Sequence, residues 1–183
     1  MEDDPSDSKK NIYLEVINEE NIEGQVLKNR FMVSNPLDQG SFGMIYDCID
    51  LNKPSCINVV KVSDNYQMLG REIEALKDIK AKDKTGEYDY PYDYTPSVVS
   101  KGMFILEKPS QAHMENRDKA FMSYYVMTKY GRNLENIFAE HNYKFSSKTI
   151  YQLGIKLLDV IEKIHDAGYT YNDLKLDNIL VGD

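Results

Sequence analysis

Eight residues near the end of the chain, Tyr171 to Asn178, include three side chains that suit phosphoryl transfer. Asp173 is followed by a lysine two residues on, Lys175, and by an asparagine five residues on, Asn178. A protein that transfers a phosphoryl group mainly positions the acceptor hydroxyl, holds Mg²⁺ and offsets charge on the moving group. Aspartate can orient the hydroxyl and accept its proton, lysine can neutralise phosphate charge, and asparagine can bind the metal. The same composition is also typical of an ordinary surface turn.

A glycine-rich segment, Asp38 to Tyr46, lies between two apolar runs that are typical of strands. Gly40, Ser41 and Gly43 are small, so the backbone there could approach phosphate oxygens closely. The pattern Gly-x-x-Gly also occurs by chance and commonly marks a hairpin turn. Taken alone, this segment leaves both interpretations open.

The β-branched run from Ile57 to Val62 contains one charged residue, Lys61. A lysine inside a strand is costly to bury unless it is paired, so it faces either solvent or an anion. The helix predicted over about Tyr66 to Lys80 offers Glu72 as a partner. Such a pair would direct the ammonium group at the α- and β-phosphates of ATP. The alternative is that Glu72 is an ordinary glutamate on the exposed face of a charged helix.

Together these segments resemble a eukaryotic protein kinase, and within that group the casein kinase 1 superfamily, which includes the tau-tubulin and vaccinia-related kinases. The closer resemblance depends on residues 29–31 at the start of the first strand, on residues 40–46, and on residues 126–138. The Gly-x-x-Leu-x-x-Ile-Phe part of the last segment is the most family-specific. The resemblance covers about residues 27 to 183. It implies an α+β, bilobal protein-kinase-like fold, with a complete N-lobe of antiparallel sheet plus one helix and the first part of a helical C-lobe.

The resemblance implies ATP and Mg²⁺ as cofactors and the serine or threonine hydroxyls of proteins as acceptors. Met127 would be the gatekeeper, the backbone from Thr128 to Tyr130 would hydrogen-bond adenine, and Leu37 with Ile45 would cover the purine ring. The full set of predicted site residues comprises the nucleotide-binding positions Leu37, Gly40, Ser41, Gly43, Ile45, Lys61, Glu72, Met127, Thr128 and Tyr130, the catalytic Asp173 and Lys175, and the metal ligand Asn178.

Several positions depart from the usual kinase pattern. Asp38 stands where the first glycine of Gly-x-Gly-x-x-Gly would be, which brings a carboxylate near the nucleotide and would weaken ATP binding. Tyr171 replaces the usual histidine. Asn172 replaces the arginine that pairs with an activation-loop phosphate in many kinases, so control by such phosphorylation is not expected. Lys175, without the arginine or alanine pattern of tyrosine kinases, favours serine or threonine as the acceptor.

The second Mg²⁺-binding aspartate of the family, in Asp-Phe-Gly, would lie about a dozen residues beyond Asn178, and Asp183 comes too soon to be it. From Ser146 or Ser147 to Gly168 the sequence predicts an amphipathic helix. Its apolar stripe comprises Ile150, Leu153, Leu157, Leu158, Ile161 and Ile164. Burying each such side chain stabilises a fold by about 1.5 to 3 kcal/mol. Leaving half of the stripe exposed to water would therefore cost a free energy comparable to the whole stability of a domain. We therefore expect a piece of a longer protein, with negligible phosphoryl transfer by the isolated chain.

Composition limits the possible partners. The chain has 183 residues, and a net charge of −8 disfavours nonspecific binding to nucleic acid. No stretch is long and apolar enough to span a bilayer, and the polar first ten residues are no signal peptide. Cys48 and Cys56 have neither zinc-site spacing nor a disulfide framework. We therefore expect an intracellular protein, cytoplasmic or nuclear, with no nucleic-acid or membrane partner.

The predicted organisation has three parts. Residues 1–11 form a disordered acidic tail, residues 12–128 the N-lobe, and residues 129–183 the hinge and the start of the C-lobe. Within the N-lobe, residues 12–17 predict either an extra strand or a short helix. Loop insertions are expected near 82–96 and 108–119. The first is rich in tyrosine, which suits either an aromatic docking surface or a loop whose rings pack on the small lobe.

Two functions from different classes remain open. The first is an ATP- and Mg²⁺-dependent serine/threonine kinase that phosphorylates proteins. The second is a non-catalytic kinase-like module that binds partners and has weak or no affinity for nucleotide. The presence of all five polar groups favours the first, namely Lys61, Glu72, Asp173, Lys175 and Asn178. The absence of Asp-Phe-Gly and the presence of Asp38 favour the second for this polypeptide.

Overall fold

The computed structural model describes residues 15–17, 21–40, 43–83, 94–106 and 121–182. Several predicted features fall outside these ranges. They are the acidic tail of residues 1–11, Ser41 of the glycine-rich segment, and most of the insertions near 82–96 and 108–119.

In these described ranges, seven strands and three helices follow one another. The first part comprises β1 (Glu15–Ile17), β2 (Val26–Leu27), β3 (Phe31–Gly40), β4 (Gly43–Asp50), β5 (Ile57–Ser63), α1 (Tyr66–Asp83), β6 (Val98–Leu106) and β7 (Phe121–Thr128). The second part comprises α2 (Leu134–Glu140), α3 (Ser147–Asp166) and a single 3₁₀ turn (Leu176–Asn178). The predicted α+β class is confirmed, and the segment left open between strand and helix contributes strand β1.

All seven strands form one sheet in the order β1-β6-β7-β5-β4-β3-β2. Every pairing is antiparallel except that of β1, which runs parallel to β6 with Glu15 opposite Phe104. An all-antiparallel sheet was the expectation, and β1 differs because it is an added edge strand rather than a hairpin neighbour of β6. By pairing there it covers the edge of β6 and brings Ile17 into the core.

The two faces of the sheet carry different packing. Successive side chains of a strand point to opposite faces, so the neighbours Tyr124 and Tyr125 of β7 belong to different clusters. Tyr124 joins a large core with Phe31 of β3, whereas Tyr125 packs against Leu69 and Ile73 of α1. The second face therefore holds α1 and is the face on which a site can form.

A partly buried ion pair joins the residue before β3 to the last residue of β4. Arg30 donates from Nε and Nη2 to the two carboxylate oxygens of Asp50, at 2.8 and 2.7 Å. The backbone N–H of Asn52 adds a third hydrogen bond to Asp50, at 3.0 Å. The hydrogen bond from Arg30 is the main cause that holds the pKa of Asp50 below its usual value. The pair fixes the register of two strands whose other end forms the glycine-rich hairpin.

Gly43 is required by the approach of a neighbouring strand. Its φ angle is +126°, and a Cβ atom built there would lie 2.1 Å from the carbonyl oxygen of Val62 in β5. Any other residue would both adopt a strained backbone and displace β5. From the sequence, the expected reason for this glycine was close approach of the backbone to phosphate. The structure shows a second reason, which is the close approach of the Val62 carbonyl.

We predict that Gly43→Ala lowers the free energy of unfolding by about 2 to 4 kcal/mol because of this clash. Gly24→Ala is the matched control, since Gly24 also has a positive φ, +80°, but no atom lies within 4 Å of the point that its Cβ would occupy. The control should cost about 1 kcal/mol, the usual penalty for a non-glycine residue in this region. Urea denaturation of the two variants measures the difference, and equal losses would contradict the account.

Candidate active site

Lys61 of β5 and Glu72 of α1 form an ion pair on the face of the sheet that carries α1. The ammonium nitrogen of Lys61 lies 2.8 Å from each carboxylate oxygen of Glu72. The Lys61 side chain is 15% exposed, so the pair is partly shielded from solvent and screened less than a surface pair. The structure thus brings together the two residues that the sequence suggested as partners.

Tyr125 of β7 is a third member of this group, which the sequence patterns did not reveal. Its hydroxyl donates to Glu72 Oε1 at 2.9 Å, and its register position is directly opposite Lys61. Burial, followed by the negative charge and hydrogen bond of Glu72, raises the pKa of Tyr125 far above the usual value, so the hydroxyl keeps its proton. The alternation of side chains along β7 could have suggested on which face of the sheet Tyr125 lies. Only the pairing register of β5 with β7 identifies Lys61 as its neighbour.

The same face carries Ile45 and Met127, two of the residues predicted to surround the purine. Ile45 lies opposite Lys61 in the β4–β5 register, and Met127 lies opposite Val59 in the β5–β7 register. Residues directly opposite one another share a face, as do residues two apart on one strand. Val59 is therefore a further buried member of this surface that the sequence patterns did not single out. Leu37 is largely exposed, beside the position that pairs with Ile45.

Part of the hinge backbone already donates hydrogen bonds within the protein. The N–H of Thr128 donates to the Ser97 carbonyl and that of Lys129 to the Ile57 carbonyl, each at 3.2 Å. Because these two N–H groups already have partners within the protein, fewer backbone groups of residues 128–130 remain for the predicted hydrogen bonds to adenine. The side chain of Lys129 forms an ion pair with Asp47 of β4 at 2.6 Å. Both kinds of contact hold the hinge against the sheet.

The chain after the hinge pairs with the residues that follow the 3₁₀ turn. Gly131 N–H donates to the Val181 carbonyl at 2.9 Å, and Val181 N–H returns a bond to the Arg132 carbonyl at 3.0 Å. Leu134 N–H donates to the Ile179 carbonyl at 2.8 Å. This short antiparallel pairing places residues 179–181, which follow the Asp173 loop, directly beside residues 131–134.

Within that loop, Asn178 is oriented by Asp173. Its amide nitrogen donates to the backbone carbonyl of Asp173 at 2.8 Å and to carboxylate oxygen Oδ2 at 2.7 Å. Lys175 Nζ lies 3.4 Å from the same carboxylate oxygen. With its nitrogen engaged in this way, Asn178 has its amide oxygen Oδ1 as the atom that can bind a cation.

Tyr171 lies two residues before Asp173, and its phenol has a raised pKa. Burial is the main cause that raises the pKa of Tyr171, followed by the negative charge of Asp173, and the charge of Glu72 contributes as well. A hydrogen bond with Asn178 acts in the opposite direction. The carboxylates of Asp173 and of Glu72 thus both act on the same phenol.

The chain is similar to curated kinases along most of its length, although no protein-family model matches it. It is 32% identical over 171 residues to human serine/threonine-protein kinase VRK2 and 27% identical over 164 residues to the probable serine/threonine-protein kinase FPV212 of Fowlpox virus. It is 24% identical over 178 residues to nucleosomal histone kinase 1 of Drosophila melanogaster. These matches cover 87%, 86% and 92% of this chain, in that order.

The chain contains a eukaryotic protein kinase-like domain. The sheet and α1 correspond to a kinase N-lobe. Helices α2 and α3 and the 3₁₀ turn correspond to part of the C-lobe. The resemblance to protein kinases drawn from the sequence is thus confirmed. The chain spans 31%, 50% and 27% of the lengths of these three relatives. In the ranges that the structure describes, no helix is both long and apolar enough to cross a bilayer.

Helix α3 of this kinase-like domain leaves much of its apolar stripe in water. The helix forms as predicted, with Ser146 accepting a hydrogen bond from Thr149 N–H at its N-cap. Of the six predicted stripe residues, only Ile164 is buried, whereas Leu158 is 68% exposed. Ile155, outside the predicted stripe, is 61% exposed. A contiguous apolar surface of this kind is typical of a face that another segment or protein covers.

We predict that the two isoleucines of α3 respond differently to truncation. Ile164→Ala should lower the free energy of unfolding by about 2 to 5 kcal/mol, because the side chain is 8% exposed and its removal leaves a cavity. Ile155→Ala should change it by less than about 0.5 kcal/mol and should reduce the binding of a dye that fluoresces on apolar surfaces. Urea denaturation and dye titration measure both. A large loss of stability in Ile155→Ala would mean that this face is covered.

Proposed function

We propose that this chain contains the nucleotide site and the catalytic loop of an ATP- and Mg²⁺-dependent protein serine/threonine kinase. The observation that carries the proposal is the Lys61–Glu72 ion pair, at 2.8 Å, and the loop hydrogen bond from Asn178 to the Asp173 carboxylate, at 2.7 Å, supports it. The names of the three relatives support the reaction class and the acceptor type. The proposal includes an intracellular location, cytoplasmic or nuclear, where ATP and protein acceptors are available.

The nucleotide would lie on the face of the sheet that carries Lys61. Glu72 holds the ammonium group in a fixed place, from which it can contact phosphate oxygens. Ile45, Val59 and Met127 offer the apolar surface that a purine needs, with Leu37 at its outer side. Asp38 adds a negative charge beside the hairpin, which would weaken the affinity for a polyphosphate.

Asp173 and Lys175 would act at the transferred group. The Asp173 carboxylate can orient the acceptor hydroxyl and take its proton. Lys175, 3.4 Å from that carboxylate, can offset negative charge as it develops on the phosphoryl oxygens. The lysine at this position, together with the relatives' names, favours serine and threonine hydroxyls of proteins as acceptors.

The residues present suit a magnesium ion that is shared with a nucleotide. Among the residues that the structure describes, no group of three or more histidine, cysteine, aspartate or glutamate side chains could hold a metal by itself. Mg²⁺ is commonly bound by one or two protein oxygens plus phosphate oxygens and water, which matches a single amide oxygen from Asn178. When bound, the ion would neutralise phosphate charge.

A non-catalytic kinase-like module is the second candidate. Asp38 near the phosphates favours it, since like-charge repulsion would weaken nucleotide binding. Such a module would retain the fold and the cleft but would not need the Asp173–Asn178 arrangement. The two candidates therefore differ in what Asp173 does.

We predict that Asp173→Asn in the full-length protein lowers kcat by about 10²- to 10⁴-fold, because the general base and its orientation of the hydroxyl are lost. The affinity for ATP should change little. Asp177→Asn is the matched control, since it removes an exposed carboxylate four residues away with no role in the proposed site. Transfer of labelled phosphate to histone measures turnover, histone being chosen because one relative is named nucleosomal histone kinase 1.

The outcomes separate the two candidates. If Asp173→Asn and Asp177→Asn turn over as the unchanged protein does, the role assigned to Asp173 is wrong. If the unchanged full-length protein neither binds ATP nor transfers phosphate, the non-catalytic module is favoured.

A further inference from the structure

The carboxylate of Glu72 is held from two sides. Lys61 contacts both of its oxygens at 2.8 Å, and the hydroxyl of Tyr125 donates to Oε1 at 2.9 Å. The two partners come from neighbouring strands, β5 and β7, at directly opposed positions. Glu72 is therefore tied to the sheet by a neutral donor as well as by a cation, and the neutral donor would remain if Lys61 turned towards a phosphate.

Tyr125 is suited to a positioning role by its burial. The residue is 1% exposed, and its ring packs against Leu69 and Ile73 on the same helix that carries Glu72. A hydroxyl in this place cannot exchange its partner for bulk water without moving the helix. The hydrogen bond therefore resists rotation of α1 away from the sheet.

A second tyrosine hydroxyl holds α1 further along the helix. Tyr169 donates to Asp78 Oδ2 at 2.6 Å. Tyr169 follows α3 and precedes the loop that contains Asp173, so this bond links α1 to the helical part of the domain. Through Glu72 and Asp78, α1 is thus hydrogen-bonded both to the sheet and to the chain that enters the catalytic loop.

We propose that Tyr125 is a positioning residue that keeps α1 in the orientation in which Glu72 pairs with Lys61, with Tyr169 as the second point of attachment. The inference rests on the proposed function, since kinase chemistry requires this lysine–glutamate pair to be in place. The two hydroxyls supply a restraint from within the domain.

The test compares Tyr125→Phe with Tyr124→Phe. Both remove one hydroxyl from a tyrosine that is 1% exposed, but the Tyr124 hydroxyl lies on the opposite face, 3.5 Å from Glu15 Oε2. Amide hydrogen exchange of α1 relative to β5 is the first readout, in the 183-residue chain and in the full-length protein. Affinity of the full-length protein for a fluorescent ATP analogue with Mg²⁺ is the second.

Tyr125→Phe should speed exchange in α1 about tenfold while β5 is unchanged, and it should weaken nucleotide binding about tenfold. Tyr124→Phe should leave the ratio of exchange between α1 and β5 as it is. Tyr169→Phe is a second variant, which should speed exchange in the last turns of α1. A purely structural role for Tyr125 predicts equal acceleration in α1 and β5 instead.

The results distinguish this inference from the proposed function. If α1 exchanges in Tyr125→Phe as it does in the unchanged protein, the positioning role is overturned, whether or not nucleotide binds. If the unchanged full-length protein fails to bind the analogue while Tyr125→Phe still loosens α1, the positioning role stands and the proposed function falls.

Discussion

The ion pair between Lys61 and Glu72 is the interaction on which the rest of the structure depends. A lysine in the middle of a sheet must face either solvent or an anion, and here it meets the Glu72 carboxylate of α1. The pair therefore fixes the helix on one face of the sheet, where Leu69 and Ile73 complete the packing against Tyr125. It also holds the Lys61 ammonium group on the face that Ile45, Val59 and Met127 line.

The second half of the site is positioned mainly by backbone hydrogen bonds. Asp173 and Lys175 are each more than half exposed, so side-chain packing cannot hold them. Backbone hydrogen bonds of Gly131 with Val181 and of Leu134 with Ile179 hold the residues that follow the loop. The 3₁₀ turn then places the Asn178 amide within hydrogen-bond distance of the Asp173 carboxylate. The segment after the hinge thus has a physical task, which is to provide the backbone groups that residues 179–181 pair with.

Local patterns in the sequence predicted the elements well. A β-branched run with one lysine predicted β5, and the Ser146 cap with its apolar period predicted α3. Contacts between residues far apart in the sequence could not be predicted from these patterns. The parallel pairing of β1, the opposition of Tyr125 to Lys61 and the engaged amides of Thr128 and Lys129 all depend on strand register, which no local period encodes. Gly43 shows the same limit, because the atom that requires a glycine belongs to β5.

A crystal structure of the full-length protein with a non-hydrolysable ATP analogue and Mg²⁺ tests the central claim most directly. We predict that Lys61 Nζ lies within about 3 Å of a phosphate oxygen, that Asn178 Oδ1 lies in the coordination shell of the metal, and that the Asp173 carboxylate faces the terminal phosphate. A nucleotide bound away from β5, or Lys61 and Asp173 opening onto different faces of the molecule, would contradict it.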